Sequence, residues 1–312
     1  MGVSPQPSAG GKGSRRWAFA SALVGCSLWG VSAVASQFIF QTYSFPPLAL
    51  VAIRMPVAGL ILYAIFRPAR PKARFSAFIL FSVVGLWVVQ YTYLLTIASS
   101  NAATGTLFQF LSLPMIAAFE ILASKARATP ALVVAVAIAT LGTAELVAGT
   151  STGALALLVS PLAIAAGLIS AATAAYYIIA SKPLLKAYGS VTVTAWGLMV
   201  GSLVATPVGL VPLSRYALPV GSGYGELLLL LSLVVVLGTV LSFLLYFKGL
   251  ETISPTEAGI AAAMEPITAA VVSFLVLHVI LTPFQYLGAA LIFASVAIII
   301  MKGRLQAETS LS

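Results

Sequence analysis

The chain has 312 residues, 61% hydrophobic and 7% charged, with a net charge of +9 and a mean hydropathy of +1.09. No soluble domain needs that much apolar surface, so the composition is that of a polytopic membrane protein. There is no aspartate, one histidine (His278) and one cysteine (Cys26), which excludes an intrachain disulfide and a His/Cys metal cluster. No Gly-rich phosphate loop points to nucleotide hydrolysis, and no cofactor is expected. The basic residues form no basic domain, so nucleic acid is not an expected partner.

Residues 1–14 are rich in Gly, Ser and Pro and read as a disordered tail. Lys12, Arg15 and Arg16 then precede an apolar run from Trp17 to about Phe40. Leu23-Val-Gly-Cys26 resembles a lipoprotein cleavage box, but the run continues well past Cys26, longer than a signal core, and reads as a first membrane helix. Further segments, each long enough to cross a bilayer, follow at 46–66, 75–98, 101–122, 130–149, 154–180, 189–213, 226–248, 255–277 and 282–301. The expected fold is an all-α membrane protein of ten transmembrane helices.

Charge placement supports that count. Lys12, Arg15, Arg16, Arg67, Arg70, Lys72, Arg74, Lys125, Arg127, Lys182, Lys186, Lys248, Lys302 and Arg304 fall on one side of the alternation and only Arg215 on the other. The asymmetry puts both termini in the cytoplasm. Arg54 lies inside a segment, and Glu120 and Glu145 lie near segment ends and read as interfacial.

Two landmarks recur. Pro114 and Pro266 are 152 positions apart, each in mid-segment; Thr129-Pro130 and Thr282-Pro283 are 153 apart. Matched offsets indicate an internal duplication, with repeats at 15–149 and 150–302 and a tail at 303–312. Five crossings per copy make the second enter from the opposite face, so the repeats are expected to be inverted. That architecture places a binding site near the midplane, beside broken helices; Pro114 and Pro266 are the expected breaks.

Glu265 precedes the second of these prolines. Its segment opens with Ser254 as a cap and Pro255 in the first turn, ahead of Thr256 and Glu257. A carboxylate at that depth is costly unless it meets a partner or a polar cavity. Two readings stand: a tolerated kink with a satisfied Glu, or a residue lining a transport path, where it is also a candidate proton carrier. Arg54, about 10–12 Å deep by helical rise, is either tied to a helix end or carbonyl, or attracts a substrate carboxylate. Trp87, Gln90 and Tyr91 share a face by i, i+3, i+4 spacing, and an amide among aromatic groups suits an amphipathic organic substrate. Tyr176, Tyr177, Ser242 and Tyr246 extend the set; any one of them alone also fits packing or an interface belt. Gly197 and Gly201 form a close-packing motif, and His278 falls in a short external loop.

The second half resembles the EamA family of drug/metabolite transporters. The resemblance rests on Val236-Leu-Gly238-Thr239 through Tyr246-Phe-Lys-Gly249-Leu250, on Ser254-Pro255-Thr256-Glu257-Ala-Gly, on Glu265-Pro266-Ile, and on Leu281-Thr282-Pro283-Phe-Gln285-Tyr-Leu-Gly288. In the first half, Phe45-Pro46-Pro47-Leu-Ala-Leu-Val-Ala-Ile-Arg54 is similar to the family's second-helix signature. Two features depart from it: His278-Val279 replaces a Gly-Glu pair, and Leu113 rather than Glu precedes Pro114. The resemblance implies a ten-helix bacterial inner-membrane transporter that moves small metabolites, often outward, with exporters of amino acids, aromatic ones included, as one branch. Drugs, nucleotide-sugar-like compounds and lipids are the alternative cargoes; nucleotide sugars would favour more cavity cations than Arg54 alone. An integral-membrane enzyme is disfavoured, because an aspartyl protease needs two Asp and neither a zinc nor a serine site can be built around one surface His. The oligomeric state is left open, with a monomer sufficient for the scheme.

Overall fold

The computed structural model describes residues 12–72, 74–116, 130–151, 154–157, 159–253, 258 and 261–309. Of the expected tails, 1–11 and 310–312 lie outside the described residues, while 12–14 already belong to the first helix and 303–309 continue the last one, so both tails are shorter than expected. The end of the fourth segment with Glu120, the basic residues Lys125 and Arg127, Thr129, and the stretch Ser254, Pro255, Thr256 and Glu257 also lie outside the described residues. Helices dominate the rest. In chain order they are α1 (Lys12–Tyr43), α2 (Pro47–Phe66), α3 (Phe75–Ala98), α4 (Ala102–Ile116) and α5 (Pro130–Val147). A hairpin of β1 (Ala148–Ser151) and β2 (Ala154–Leu157) follows, pairing Ala148 with Leu157 and Ser151 with Ala154. The 53-residue helical run Pro161–Leu213 then forms α6 (161–188) and α7 (190–213), because Gly189 sits at φ 73, ψ 166 and ends the first helix. Finally come α8 (Ser222–Leu250), α9 (Met264–Leu277) and α10 (Pro283–Thr309).

Helix starts follow local chemistry. Pro46 and Pro47 open α2, where a missing N–H costs nothing. Asn101 caps α4 by accepting from Thr104 N at 2.8 Å. Ser160 accepts from Ala163 N at 3.2 Å, with Pro161 at the first position. This cap explains why α6 begins at 161 and not at 154: the hairpin occupies the start of the predicted segment. Gly189 leaves the first N–H of α7 to be capped from elsewhere. Ser190 N donates to Glu251 Oε1 at 2.7 Å, and Lys248 Nζ donates to Glu251 Oε2 at 2.9 Å.

Partial burial pushes the Glu251 carboxyl up, but the bonds from Lys248 and the Ser190 N–H outweigh it and hold it below the usual carboxylate range. A depressed carboxylate contributes stability that is present above its unfolded pKa, about 4.3, and is lost as pH falls through the lower folded value. Glu251→Gln keeps an acceptor for Ser190 N and removes the charge facing Lys248, so it should lower thermal stability by about 0.5 kcal/mol at neutral pH, the scale of an exposed i, i+3 ion pair. The gap to wild type should close between about pH 5 and pH 3, as read from unfolding midpoints in detergent.

Two helix pairs cross antiparallel at very short range. In α2 and α7, a Cβ on Gly209 would lie 2.6 Å from Leu48 O, and one on Gly59 would lie 3.1 Å from Met199 N. In α5 and α10, a Cβ on Gly288 would lie 2.5 Å from Gly142 O and 2.6 Å from Leu146 N, while Ser295 Oγ donates to Ala135 O at 2.7 Å. Small residues at crossings let backbones meet, the usual source of helix association in lipid. Gly197 and Gly201 also pack within the chain, against Leu86 of α3 and against Met55 and Ser82. One large core cluster joins α1–α3 to α6–α8; a second gathers α4, α5 and α10 around Phe108, Leu146 and Ile292.

Candidate functional site

Both prolines lie just past an interruption. Proline cannot donate to the carbonyl four residues back, which leaves Phe110 O before Pro114 and Ala262 O before Pro266 without that helical partner. The chain turns at Leu111 in α4 and at Ala263 ahead of α9, in each case three residues before the proline. Phe110 and Ala262 both border one central cavity of about 80 Å³.

The cavity draws its lining from seven helices. α1 contributes Cys26 and Trp29, α2 Arg54, and α3 Val89, Gln90 and Tyr93. The broken α4 adds Thr106, Gln109, Phe110 and Ser112, α6 adds Ala174, Tyr177 and Ile178, and α8 adds Phe243 and Tyr246. Glu265 and Pro266 complete it from α9. Its walls are aromatic: Trp29 meets Phe243 edge-on at 4.9 Å and Tyr246 at 5.0 Å, and Tyr177 lies 5.6 Å from Phe247 behind them. α1 reaches Glu265 closely because of Gly30, where a Cβ would fall 2.6 Å from Glu265 O.

The charged groups are held apart. Tyr93 Oη donates to Glu265 Oε1 at 2.8 Å. Arg54, 3% exposed, donates from Nε to Thr239 Oγ1 at 3.0 Å and from Nη2 to Gly238 O at 3.3 Å. Among the described residues the ion pair within 4.0 Å is Lys248–Glu251, so Arg54 and Glu265 border the same cavity without contacting each other. Gln90 is buried with both amide atoms unpartnered among the described residues, as is the Tyr177 hydroxyl. Buried polar atoms of this kind are costly unless something occupies the space before them.

Of the residues singled out from sequence, Arg54, Gln90, Tyr177, Tyr246, Glu265 and Pro266 thus meet in one place. Trp87, Tyr91, Tyr176 and Ser242 do not line it. Tyr91 is half-buried against the main core and Tyr176 is half-buried on α6. The spacing argument for Trp87 fails for a physical reason: residues 81–88 of α3 are π-helical, so an i, i+3 count through Trp87 lands on a different face. Tyr93, three residues beyond Gln90 in regular α-helix, takes the cavity position. Ser242 follows a second π-helical stretch, 236–241 of α8, and its hydroxyl donates back to Leu237 O at 2.6 Å. Pro114 borders a separate apolar groove between α4, α5 and α6. His278 ends α9 in a left-handed conformation, φ 53, away from the cavity lining.

Sequence reasoning missed Tyr93, Thr239 and the two π-helical stretches. A signal for the stretches was present: Gly85 and Gly238 are 153 positions apart, the offset already shown by Pro130 and Pro283.

Comparison with known proteins gives a family. The EamA-like transporter family matches residues 16–148 and again 161–301. A relative from Salmonella typhimurium, named as the uncharacterized inner membrane transporter YicL, is 35% identical over 308 residues, covering 96% of this chain and 100% of the relative. A crystal structure described only as that of a protein superposes with a TM-score of 0.62 at 18% identity, over 92% of this chain and 97% of the other, a likeness of fold. The resemblance read from the Gly238–Leu250, Glu265-Pro266 and Leu281–Gly288 stretches is therefore sound: this membrane protein belongs to the EamA-like transporter family.

Proposed function

We propose that the chain exports zwitterionic amphipathic metabolites, α-amino acids foremost and aromatic ones among them, across the bacterial inner membrane by alternating access. The observation that carries this reading is the unpaired placement of Arg54 and Glu265 in one aromatic-walled cavity. A carboxylate suits Arg54, an ammonium suits Glu265, and each partner relieves a buried charge. Arg54 belongs to the first repeat and Glu265 to the second, so a zwitterion would bridge the two. Gln90 and the Tyr177 hydroxyl offer further hydrogen bonds to a polar-tipped side chain.

The architecture in this reading is ten crossings in two inverted five-helix repeats, 15–149 and 150–302, with both termini cytoplasmic. It is supported by the breaks before Pro114 and Pro266, by the 14 basic residues on one side of the alternation, and by the pairing of α2 with α7 and α5 with α10. Corresponding helices of two copies related by an axis in the membrane plane must run antiparallel, as these pairs do. The cavity of about 80 Å³ is well below the several hundred Å³ of a small-molecule site. Substrate entry then requires the repeats to separate, which is the rocking that alternating access supplies.

Proteoliposomes loaded with a labelled amino acid test the reading by a competition panel of zwitterions, their decarboxylated amines, their deaminated acids, nucleotide sugars and lipophilic cations. The expected order puts zwitterions at least tenfold ahead of both single-charge analogues. Equal competition by lipophilic cations or nucleotide sugars would transfer the cavity to one of those cargoes.

A further inference from the structure

The π-helical stretches 81–88 and 236–241 occupy corresponding places in α3 and α8, yet they are secured differently. In α3, Ser82 Oγ donates to its own helix at Phe78 O, 2.8 Å away, and α7 closes on the wide turn through backbone contact. A Cβ on Gly201 would lie 2.7 Å from Ser82 O, and one on Gly197 2.7 Å from Leu86 Cδ1. In α8, Thr239 Oγ1 donates back to Val234 O at 3.0 Å, and the facing helix α2 sends the Arg54 side chain to the turn, where it donates to Thr239 Oγ1 and Gly238 O. Packing holds both wide turns, that of α8 through Ser32 of α1 against Gly238, but the α8 turn is also bonded by a guanidinium, and that guanidinium borders the cavity.

Wide turns of this kind recur at functional sites, where they can be gained or lost by a one-residue change of helical register. Arg54 now bonds a carbonyl and a hydroxyl, both uncharged. A carboxylate offers it an opposite charge as well as two acceptor oxygens in bidentate geometry, neither of which a carbonyl and a hydroxyl supply. With no anion present, letting go would leave a buried, unsatisfied cation.

We propose that Arg54 is a latch on the α8 wide turn, and that an anionic group entering the cavity draws Arg54 off Gly238 and Thr239 and frees α8 to move. Thr239 is then a positioning residue: it touches no substrate and acts by holding Arg54. The latch discourages movement of the empty carrier, and the substrate supplies the differential contact that any ligand-driven shift requires. The trigger rests on the cavity being the substrate site; the latch itself does not.

Hydrogen–deuterium exchange of the full chain in nanodiscs separates the two. Arg54→Met removes the guanidinium and leaves the bond from Thr239 Oγ1 to Val234 O in place, whereas Thr239→Val removes that bond and only one of the two acceptors of Arg54. Arg54→Met should speed exchange in 236–242 at least fivefold while leaving 81–88 within twofold of wild type. L-tryptophan should speed exchange of 236–242 in wild type and add nothing in Arg54→Met, and tryptamine, which lacks the carboxylate, should leave wild type unchanged. Wild-type exchange rates in Arg54→Met overturn the latch whatever the cargo is, even where Thr239→Val exchanges fast. An amino acid that is transported yet leaves 236–242 unchanged in wild type overturns the trigger and with it the proposal. Fast exchange in Arg54→Met, in a protein whose wild type moves no amino acid, upholds the latch and sinks only the cargo assignment.

Discussion

Glu265→Gln should reduce the efficiency of zwitterion uptake by about 10- to 150-fold, the equivalent of one charge-assisted hydrogen bond of about 1.5–3 kcal/mol. The substitution is chosen to remove charge and little else. Glu265 Oε1 accepts from Tyr93 Oη at 2.8 Å, and the carboxamide oxygen of Gln can accept the same bond. The contact between α1 at Gly30 and the backbone of residue 265 is untouched. The unfolding midpoint should therefore stay close to wild type, and the loss should appear in transport. Deaminated analogues of the same amino acids carry a carboxylate for Arg54 but no ammonium for Glu265, so their weaker uptake should be indifferent to Glu265→Gln. Uptake of zwitterions at wild-type efficiency would remove Glu265 from the site. An equal loss for the deaminated acids would mean that Glu265 supports the helix break and not the ammonium.

The sequence made the broad architecture readable because lipid imposes a coarse code. Segment length carries the segments and prolines at a matched offset carry the breaks, the motif stretches Gly238–Leu250, Glu265-Pro266 and Leu281–Gly288 carry the family, and none depends on side-chain direction. The cavity was half readable. Glu265, Arg54, Gln90, Tyr177 and Tyr246 stand out because polar or aromatic groups in apolar helices are few and must face something. What failed was angular bookkeeping: an eight-residue π-helical stretch in α3 turned Trp87 away and brought Tyr93 to the cavity face, and a six-residue stretch in α8 committed Ser242 to its own backbone. Helical phase is legible only while every turn holds 3.6 residues. The partner of Arg54 was unreadable for another reason. Thr239 lies 185 positions away, and its contact depends on how two halves of the chain meet.

Gly288→Val should cost more folded protein than any substitution in the cavity. Some crowded glycines face only a side chain that can swing aside; Gly197, for instance, faces Leu86 Cδ1 at 2.7 Å. Gly288 faces backbone on two counts, Gly142 O and Leu146 N, so a β-branched side chain must drive α5 and α10 apart along their length. Overpacking that side chains can absorb costs about 1–3 kcal/mol, and a crossing of two backbones belongs at or above the top of that range. At about 2.1 cal/mol/K of unfolding entropy per residue, about 3 kcal/mol lowers the unfolding midpoint of a 312-residue chain by about 5 °C. Gly223→Ala is the control: its Cβ would meet Pro219 Cβ at 3.4 Å and Tyr43 Cε1 at 3.6 Å, ordinary contact distances, so its midpoint should match wild type. The consequence reaches the cavity through α4, because Phe110, which borders the cavity, packs on Phe293 of α10 at 5.2 Å. Prising α10 from α5 therefore loosens the helix that carries the first break. A midpoint for Gly288→Val equal to that of Gly223→Ala would show that the two backbones do not meet at this glycine, and the proposed inversion of the repeats would lose one of its two antiparallel supports.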